Sequence, residues 1–164
     1  MNSMRELLID ELSDLYSAEK QLIEALPKMA KAASCEKLRT AFEDHLSVTK
    51  NQLKRLDSIF QELSEKPKRK KCKAMEGLIE EGAEVIKKKG LPEVKDVALI
   101  GAAQRVEHYE IAAYGTSRAI AESLGLASVA DLLQETLDEE RDADTELNNL
   151  ALNDINADAI AASE

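Results

Sequence analysis

Five acidic side chains fall in or beside apolar rows that this sequence repeats at helical spacing. Glu19, Glu110 and Glu140 take places in rows that otherwise hold mostly Leu, Met, Val or Ala. Glu107 borders one of these rows, and Asp144 follows Glu140 by one helical turn. Burying an ionised carboxylate without a partner costs more than a well-packed Leu contributes. Acids at such positions therefore require protons, hydrogen bonds or cations where they meet.

Two explanations of these buried acids compete. Each acid can pair with Lys, Arg or Tyr, or lean out to solvent at the edge of its row. Alternatively, the acids converge on a hard metal ion, since oxygen ligands with an imidazole suit iron or manganese, and bundle cores are where such sites form. At about 1.5 Å of rise per residue, Glu19, Glu107, Glu110 and Glu140 all fall near the middle of their helices. Four acids at one level favour the metal site.

Two histidines and two tyrosines are the other groups of interest. His45 shares a row with the polar Thr49 and Gln52, so it is either a neutral core imidazole or a nitrogen ligand. His108 lies outside the apolar row and is interpreted as a surface or interface residue. Tyr16 and Tyr114 stand within one turn of acids in the rows and can donate hydrogen bonds to them. No residue is assigned a catalytic role.

The rows predict five helices in an all-α protein. Apolar residues recur at spacings of three and four over the stretches 4–33, 36–64, 74–88, 92–124 and 128–153. Ser34 is the predicted N-cap of the second helix. The remaining tail is rich in Ala and Asp and is expected to fray.

The lengths of the connections predict the topology. Short turns follow Ala33 and Leu124, so the first two and the last two long helices form antiparallel hairpins. The long connection between Ser64 and Pro92 can cross the bundle along its length. This is the single-crossover topology of a ferritin-like four-helix up-and-down bundle with an additional short helix, here predicted as one domain over residues 1–164.

Composition narrows the classes of function. The chain carries a net charge of −10, which argues against nonspecific binding of nucleic acid or anionic lipid. Its two cysteines form no CxxC pair, and no apolar run is long enough to cross a bilayer, so a cytoplasmic protein with reduced thiols is expected. Phosphate-loop, GxSxG and HExxH motifs are absent. The basic stretch 65–73 is interpreted as a solvated linker, with a polyanion-binding segment as the alternative.

Several stretches resemble the YciE/YciF family of ferritin-like bacterial stress proteins. They are YSAEKQL, HLSVTKNQL, AMEGLIEE, VEHYEIAAYGT and LDEERDAD, which together span almost the whole chain. The resemblance implies a homodimer in the cytoplasm, an association with stress responses, and kinship with dinuclear carboxylate proteins. The relationship to those proteins implies that Glu19, Glu107, Glu110 and Glu140 match their acidic ligand positions for iron or manganese.

Two departures from the dinuclear pattern leave the function open. Such sites draw a Glu-x-x-His pair from each of two helices, and this chain contains none. Where family members carry Glu in the second helix, this chain has Val48. Asp144 or His45 is the candidate substitute ligand. The leading hypothesis is a metal-binding stress protein with oxygen, peroxide or iron redox chemistry, and the alternative is a structural or interaction bundle whose metal site has degenerated.

Overall fold

The computed structural model describes residues 2–164, and its only regular elements are helices. Ser3 caps the first helix by accepting a hydrogen bond from the amide of Glu6, and Pro92 opens the fourth, where its missing donor costs nothing. Gly125, at a φ of 71°, ends the fourth helix in the left-handed region. The helices are α1 (Met4–Ala32), α2 (Glu36–Glu62), α3 (Lys73–Lys87), α4 (Pro92–Ser123), α5 (Ala127–Leu150) and α6 (Asn156–Ser163), with a π-helical turn at Ala151–Ile155 before α6.

Two local predictions are wrong. The tail does not fray, because the chain continues through the π-helical turn into α6, where Ile155 and Ala159 are buried. Ser34 is not the N-cap of α2, which is Cys35. The Ser34 and Cys35 amides and the Ser34 hydroxyl instead donate to the buried carboxylate of Asp96 in α4, at 2.6 to 2.9 Å. A carboxylate from a distant helix thus anchors the turn between α1 and α2.

The single crossover is confirmed by contacts at the two ends of the bundle. Asp96, near the start of α4, accepts a hydrogen bond from Ser34 in the connection between α1 and α2. Ser128, near the start of α5, donates a hydrogen bond to Glu62 at the end of α2. The chain between α2 and α4 therefore travels the length of the bundle, with α3 packed on α1 and α4. The protein is an all-α, ferritin-like four-helix up-and-down bundle with an additional short helix.

A polar layer divides the apolar core into two clusters. One cluster contains Leu22, Phe42, Leu99 and Leu147, and the other contains Leu12, Leu56, Leu133 and Tyr114. Every long helix contributes buried polar residues between them: Glu19 from α1, Thr49 and Gln52 from α2, Glu107 and Glu110 from α4, and Glu140 from α5. The acids in the apolar rows therefore meet at one level of the bundle. No helix within residues 2–164 combines the length and apolarity that crossing a membrane requires.

Candidate metal centre

Four side chains from three helices converge in the polar layer. His45 of α2, Glu107 and Glu110 of α4 and Glu140 of α5 each offer one ligand atom, and these atoms lie within 4.8 Å of one another. Nε2 of His45 is 3.5 Å from Oε1 of Glu107 and 3.9 Å from Oε2 of Glu140. Glu107 and Glu110 are one turn apart on α4, which directs both carboxylates to the same face of that helix.

The converging atoms have few hydrogen-bond partners among the described residues. Glu110 and Glu140 are fully buried, Glu107 is 3% exposed, and the His45 side chain is 10% exposed. Both oxygens of Glu110, Oε2 of Glu107, Oε2 of Glu140 and Nε2 of His45 are buried without a partner. Buried polar atoms in folded proteins are nearly always hydrogen-bonded, so five such atoms at one point make this cluster a candidate metal site.

Electrostatics give the same indication. At an effective dielectric constant of about 20, two unit negative charges no more than 4.8 Å apart repel by at least about 3.5 kcal/mol. Burial raises the pKa of Glu110 well above its ordinary value, and the charges of Glu140 and Glu19 raise it further. Burial and the charge of Glu140 likewise raise the pKa of Glu107. Protons or a bound cation must relieve this repulsion.

Glu19 lies beside the four-residue cluster and is held by a tyrosine. The buried Tyr114 hydroxyl donates to Oε1 of Glu19, and Oε2 of Glu19 has no partner within residues 2–164. Burial and the charge of Glu140 raise the pKa of Glu19, while the hydrogen bond from Tyr114 opposes that rise. Of the two tyrosines considered from the sequence, Tyr114 is the one that donates to Glu19.

Asp144 is not one of the converging residues. Its Oδ1 accepts a hydrogen bond from Nε2 of Gln104 at 3.1 Å and lies 3.4 Å from Nε2 of His108. The His108 side chain is 68% exposed. Of the six residues proposed from the sequence as ligands, the structure thus brings four together, with Glu19 adjacent and Asp144 engaged elsewhere.

Gln52 is the residue of the site that the sequence did not identify. Its Nε2 donates to Oε1 of Glu140 and, at 3.1 Å, to Oε2 of Glu139. Arg55, one turn later on α2, binds Glu139 with both terminal nitrogens and also contacts Glu135. The available signal was an amide in the same row as His45, two turns later, because a Gln in a row that faces the core must find partners.

The dimensions of the cluster suit one ion. Ligand atoms held about 2.0 to 2.4 Å from a metal lie roughly 3 to 4.8 Å from one another. The four ligand atoms here fall within 4.8 Å, so little movement would complete a coordination shell. A second ion would depend on Glu19 and the remaining carboxylate oxygens, because Val48 supplies no ligand.

The basic linker is partly neutralised by acids of the same chain. Lys68 and Lys70 form ion pairs with Asp10, and Lys71 and Lys73 form ion pairs with Glu76. These pairs involve four of the six basic residues in the stretch 65–73. The contacts favour the interpretation of the stretch as a connector over a polyanion-binding segment.

Comparison with known proteins places the chain in a family. Residues 3–160 match the family described as a domain of unknown function, DUF892. This chain belongs to the DUF892 family. It is 52% identical over 160 residues to Protein YciF of Escherichia coli strain K12, an alignment that covers 97% of this chain and 96% of that protein. The predicted resemblance to the YciE/YciF family is therefore confirmed.

Solved structures of DUF892-like bundles agree with this assignment. The crystal structure of the E. coli stress protein YciF superposes with a TM-score of 0.92 at 53% identity, covering 95% of this chain and 99% of that one. YcfI of Rhodopseudomonas palustris, whose description suggests a structural protein, superposes with a TM-score of 0.89 at 42% identity, covering 92% and 96%. A Xanthomonas campestris protein shares the fold alone, with a TM-score of 0.75 at 21% identity and coverage of 97% and 95%.

Proposed function

We propose that this YciF homologue is a stress-response protein that binds one iron or manganese ion per chain in its polar layer. The ligands are His45, Glu107, Glu110 and Glu140. The observation that carries the proposal is the convergence of their ligand atoms within 4.8 Å, where five polar atoms of these four side chains are buried without a partner among residues 2–164. A divalent cation would satisfy those atoms and relieve the repulsion among the three carboxylates.

The donor set favours iron or manganese over other common ions. Three carboxylates with one imidazole contain no thiolate, the ligand on which structural zinc sites depend most. Calcium and magnesium prefer all-oxygen shells, which His45 does not fit. Mixed oxygen and imidazole ligands suit Fe(II) and Mn(II), and helical bundles commonly hold such ions between facing helices.

The surrounding residues hold and orient the ligands. Gln52 fixes the rotamer of Glu140, and Tyr114 holds Glu19 at the edge of the cluster, where its second oxygen can approach a bound ion. The apolar clusters above and below exclude bulk water, which strengthens charge interactions in the layer. A bound iron or manganese ion would supply one-electron redox chemistry toward oxygen or peroxide.

Val48 favours a second candidate, a structural bundle that no longer binds metal. The position faces the groove beside His45 and Glu107, where the family resemblance leads one to expect a carboxylate. In this alternative the buried acids remain protonated, and the bundle acts through its surface. A homodimer is expected under both candidates, and sizing in solution tests it.

An anaerobic Fe(II) titration of chelator-treated protein separates the two candidates. We expect saturation at one Fe(II) per chain, and no binding to Glu110→Gln under the same conditions. Glu24→Gln removes an exposed carboxylate that is not part of the cluster and serves as the matched control, with binding like that of the wild type. Absence of stoichiometric binding to the wild-type protein, with Mn(II) as well as Fe(II), would leave the structural candidate.

A further inference from the structure

A groove on the bundle surface between α2 and α5 leads to the candidate metal centre. It has a volume of about 250 Å³, enough for several water molecules. His45 and Glu107, two of the four converging residues, line it, as do Asp44, Asp142 and Glu146. The last three side chains are exposed, so the groove joins the polar layer to solvent.

Polar atoms of the site lie at the inner side of this groove without partners. Nε2 of His45 and Oε2 of Glu107 have no hydrogen-bond partner within residues 2–164, although the His45 side chain is 10% and the Glu107 side chain 4% exposed. A ligand that moves along the groove meets these two atoms before it reaches the fully buried Glu110 and Glu140.

The negative charge of the groove favours a cationic ligand. Asp44, Asp142 and Glu146 form no ion pair with any described residue, and no Lys or Arg is among the residues that line the groove. Arg55, which pairs with the lining residue Glu139, is also engaged by Glu135. A concave surface lined by one sign of charge with low-dielectric walls concentrates counter-ions, which here are cations.

We propose that this groove is the route by which hydrated divalent transition-metal cations reach the polar layer. The rim carboxylates of Asp44, Asp142 and Glu146 attract the ion and hold it transiently. His45 and Glu107 then replace its water molecules before Glu110 and Glu140 complete the shell. The proposal rests on the proposed function, since it describes how the same site is loaded.

Uptake kinetics of the double variant Asp142→Asn/Glu146→Gln test this route. Both positions are exposed and free of ion pairs, so the substitutions leave the fold and the four ligands intact. The matched control is Glu24→Gln/Asp131→Asn, which removes the same charge at exposed positions outside the groove. Chelator-treated protein is mixed with Co(II), whose visible absorption reports ligation without any redox step.

We expect uptake at low ionic strength to be about 10-fold slower in the groove variant, at the lower end of the range over which charged clefts accelerate association. The final absorbance should equal that of the wild type, the control should stay within about two-fold, and the difference should shrink as salt screens the rim charges. Equal uptake rates in the groove and control variants would overturn the route while leaving the metal site intact. Failure of the wild-type protein to bind any Co(II) would overturn both the route and the site.

Discussion

Gln52 donates a hydrogen bond from Nε2 to Oε1 of Glu140, and the other oxygen of Glu140 then lies 3.9 Å from Nε2 of His45. The same amide also donates to Oε2 of Glu139, so both of its protons are engaged. The contact fixes the rotamer of a fully buried carboxylate and directs its free oxygen into the candidate metal centre. An uncharged residue on α2 thus positions a candidate ligand on α5.

Replacing this amide should weaken metal binding without removing a ligand. For Gln52→Leu we expect the Kd for Mn(II) to rise about 10-fold, a typical effect of losing an outer hydrogen bond to a ligand. The Co(II) spectrum should shift because Glu140 is free to rotate. Gln21→Leu, which removes an amide that donates to the carbonyl of Cys72, is the control and should leave both readouts unchanged. An unaltered Kd and spectrum in Gln52→Leu would show that the hydrogen bond does not position Glu140.

Glu110 should favour metal binding at the expense of the stability of the metal-free protein. Both of its oxygens are buried and have no hydrogen-bond partner within residues 2–164. Replacing even a buried ion pair with apolar side chains of similar volume is often neutral or stabilising by about 1 to 4 kcal/mol, and an unpartnered carboxyl group has no ion pair to lose. We therefore expect Glu110→Leu to bind no Fe(II) and to need more urea to unfold than the wild type, when both are compared in chelator. A destabilised, metal-free Glu110→Leu would mean that this carboxyl supports the fold.

The metal-free protein should lose stability as the pH rises. The pKa values of Glu19, Glu107 and Glu110 are raised well above the ordinary value of 4.5 in the folded state. Above pH 4.5 the folded chain therefore holds more protons than the unfolded chain, and the free energy of unfolding falls with increasing pH. Urea unfolding in chelator at pH 5, 6.5 and 8, values chosen as roughly spanning that window, measures the slope.

Two comparisons test the origin of this slope. Glu110→Gln removes one of the three groups and should give a shallower dependence. Saturating Mn(II) should reverse the trend, because metal binding displaces the protons and strengthens with pH. A stability of the metal-free protein that is flat or increasing from pH 5 to 8 would contradict the protonated state inferred for these acids.

Val48→Glu should increase the number of ions bound. Val48 lines the groove together with His45 and Glu107, so a carboxylate there would lie next to the existing ligands. We expect the stoichiometry in an anaerobic Fe(II) titration to rise from one to two ions per chain. Val48→Gln, of similar size but uncharged, should remain at one. Two ions bound by the wild-type protein would show that Glu19 alone completes a second position.

The sequence predicted the helices, and the position of the polar layer along the bundle, because both depend on local periodicity. Glu19, Glu110 and Glu140 interrupt apolar rows at mid-helix, and Glu107 precedes Glu110 by one turn on the same face. A regular bundle necessarily brings such positions together. The same periodicity placed Asp144 in the apolar row. Its side chain instead contacts Gln104 and His108, and these contacts depend on how α4 packs against α5.

What the sequence could not predict depends on contacts between distant segments. The acceptor for the Ser34 and Cys35 amides is Asp96, which lies about sixty residues later and is joined to them only by the crossover. The π-helical turn at Ala151–Ile155 and α6 continue the last long helix beyond residue 153, where composition alone suggested a frayed tail. The role of Gln52 likewise exists only once α2 and α5 are packed together.

Anomalous diffraction from crystals soaked in Mn(II) tests the central claim most directly. We predict one strong anomalous peak per chain in the polar layer, within about 2.5 Å of Nε2 of His45 and of oxygens from Glu107, Glu110 and Glu140, a distance typical of oxygen and nitrogen ligands. Mn(II) bound only at exposed carboxylates, with no peak among these four side chains, would contradict it.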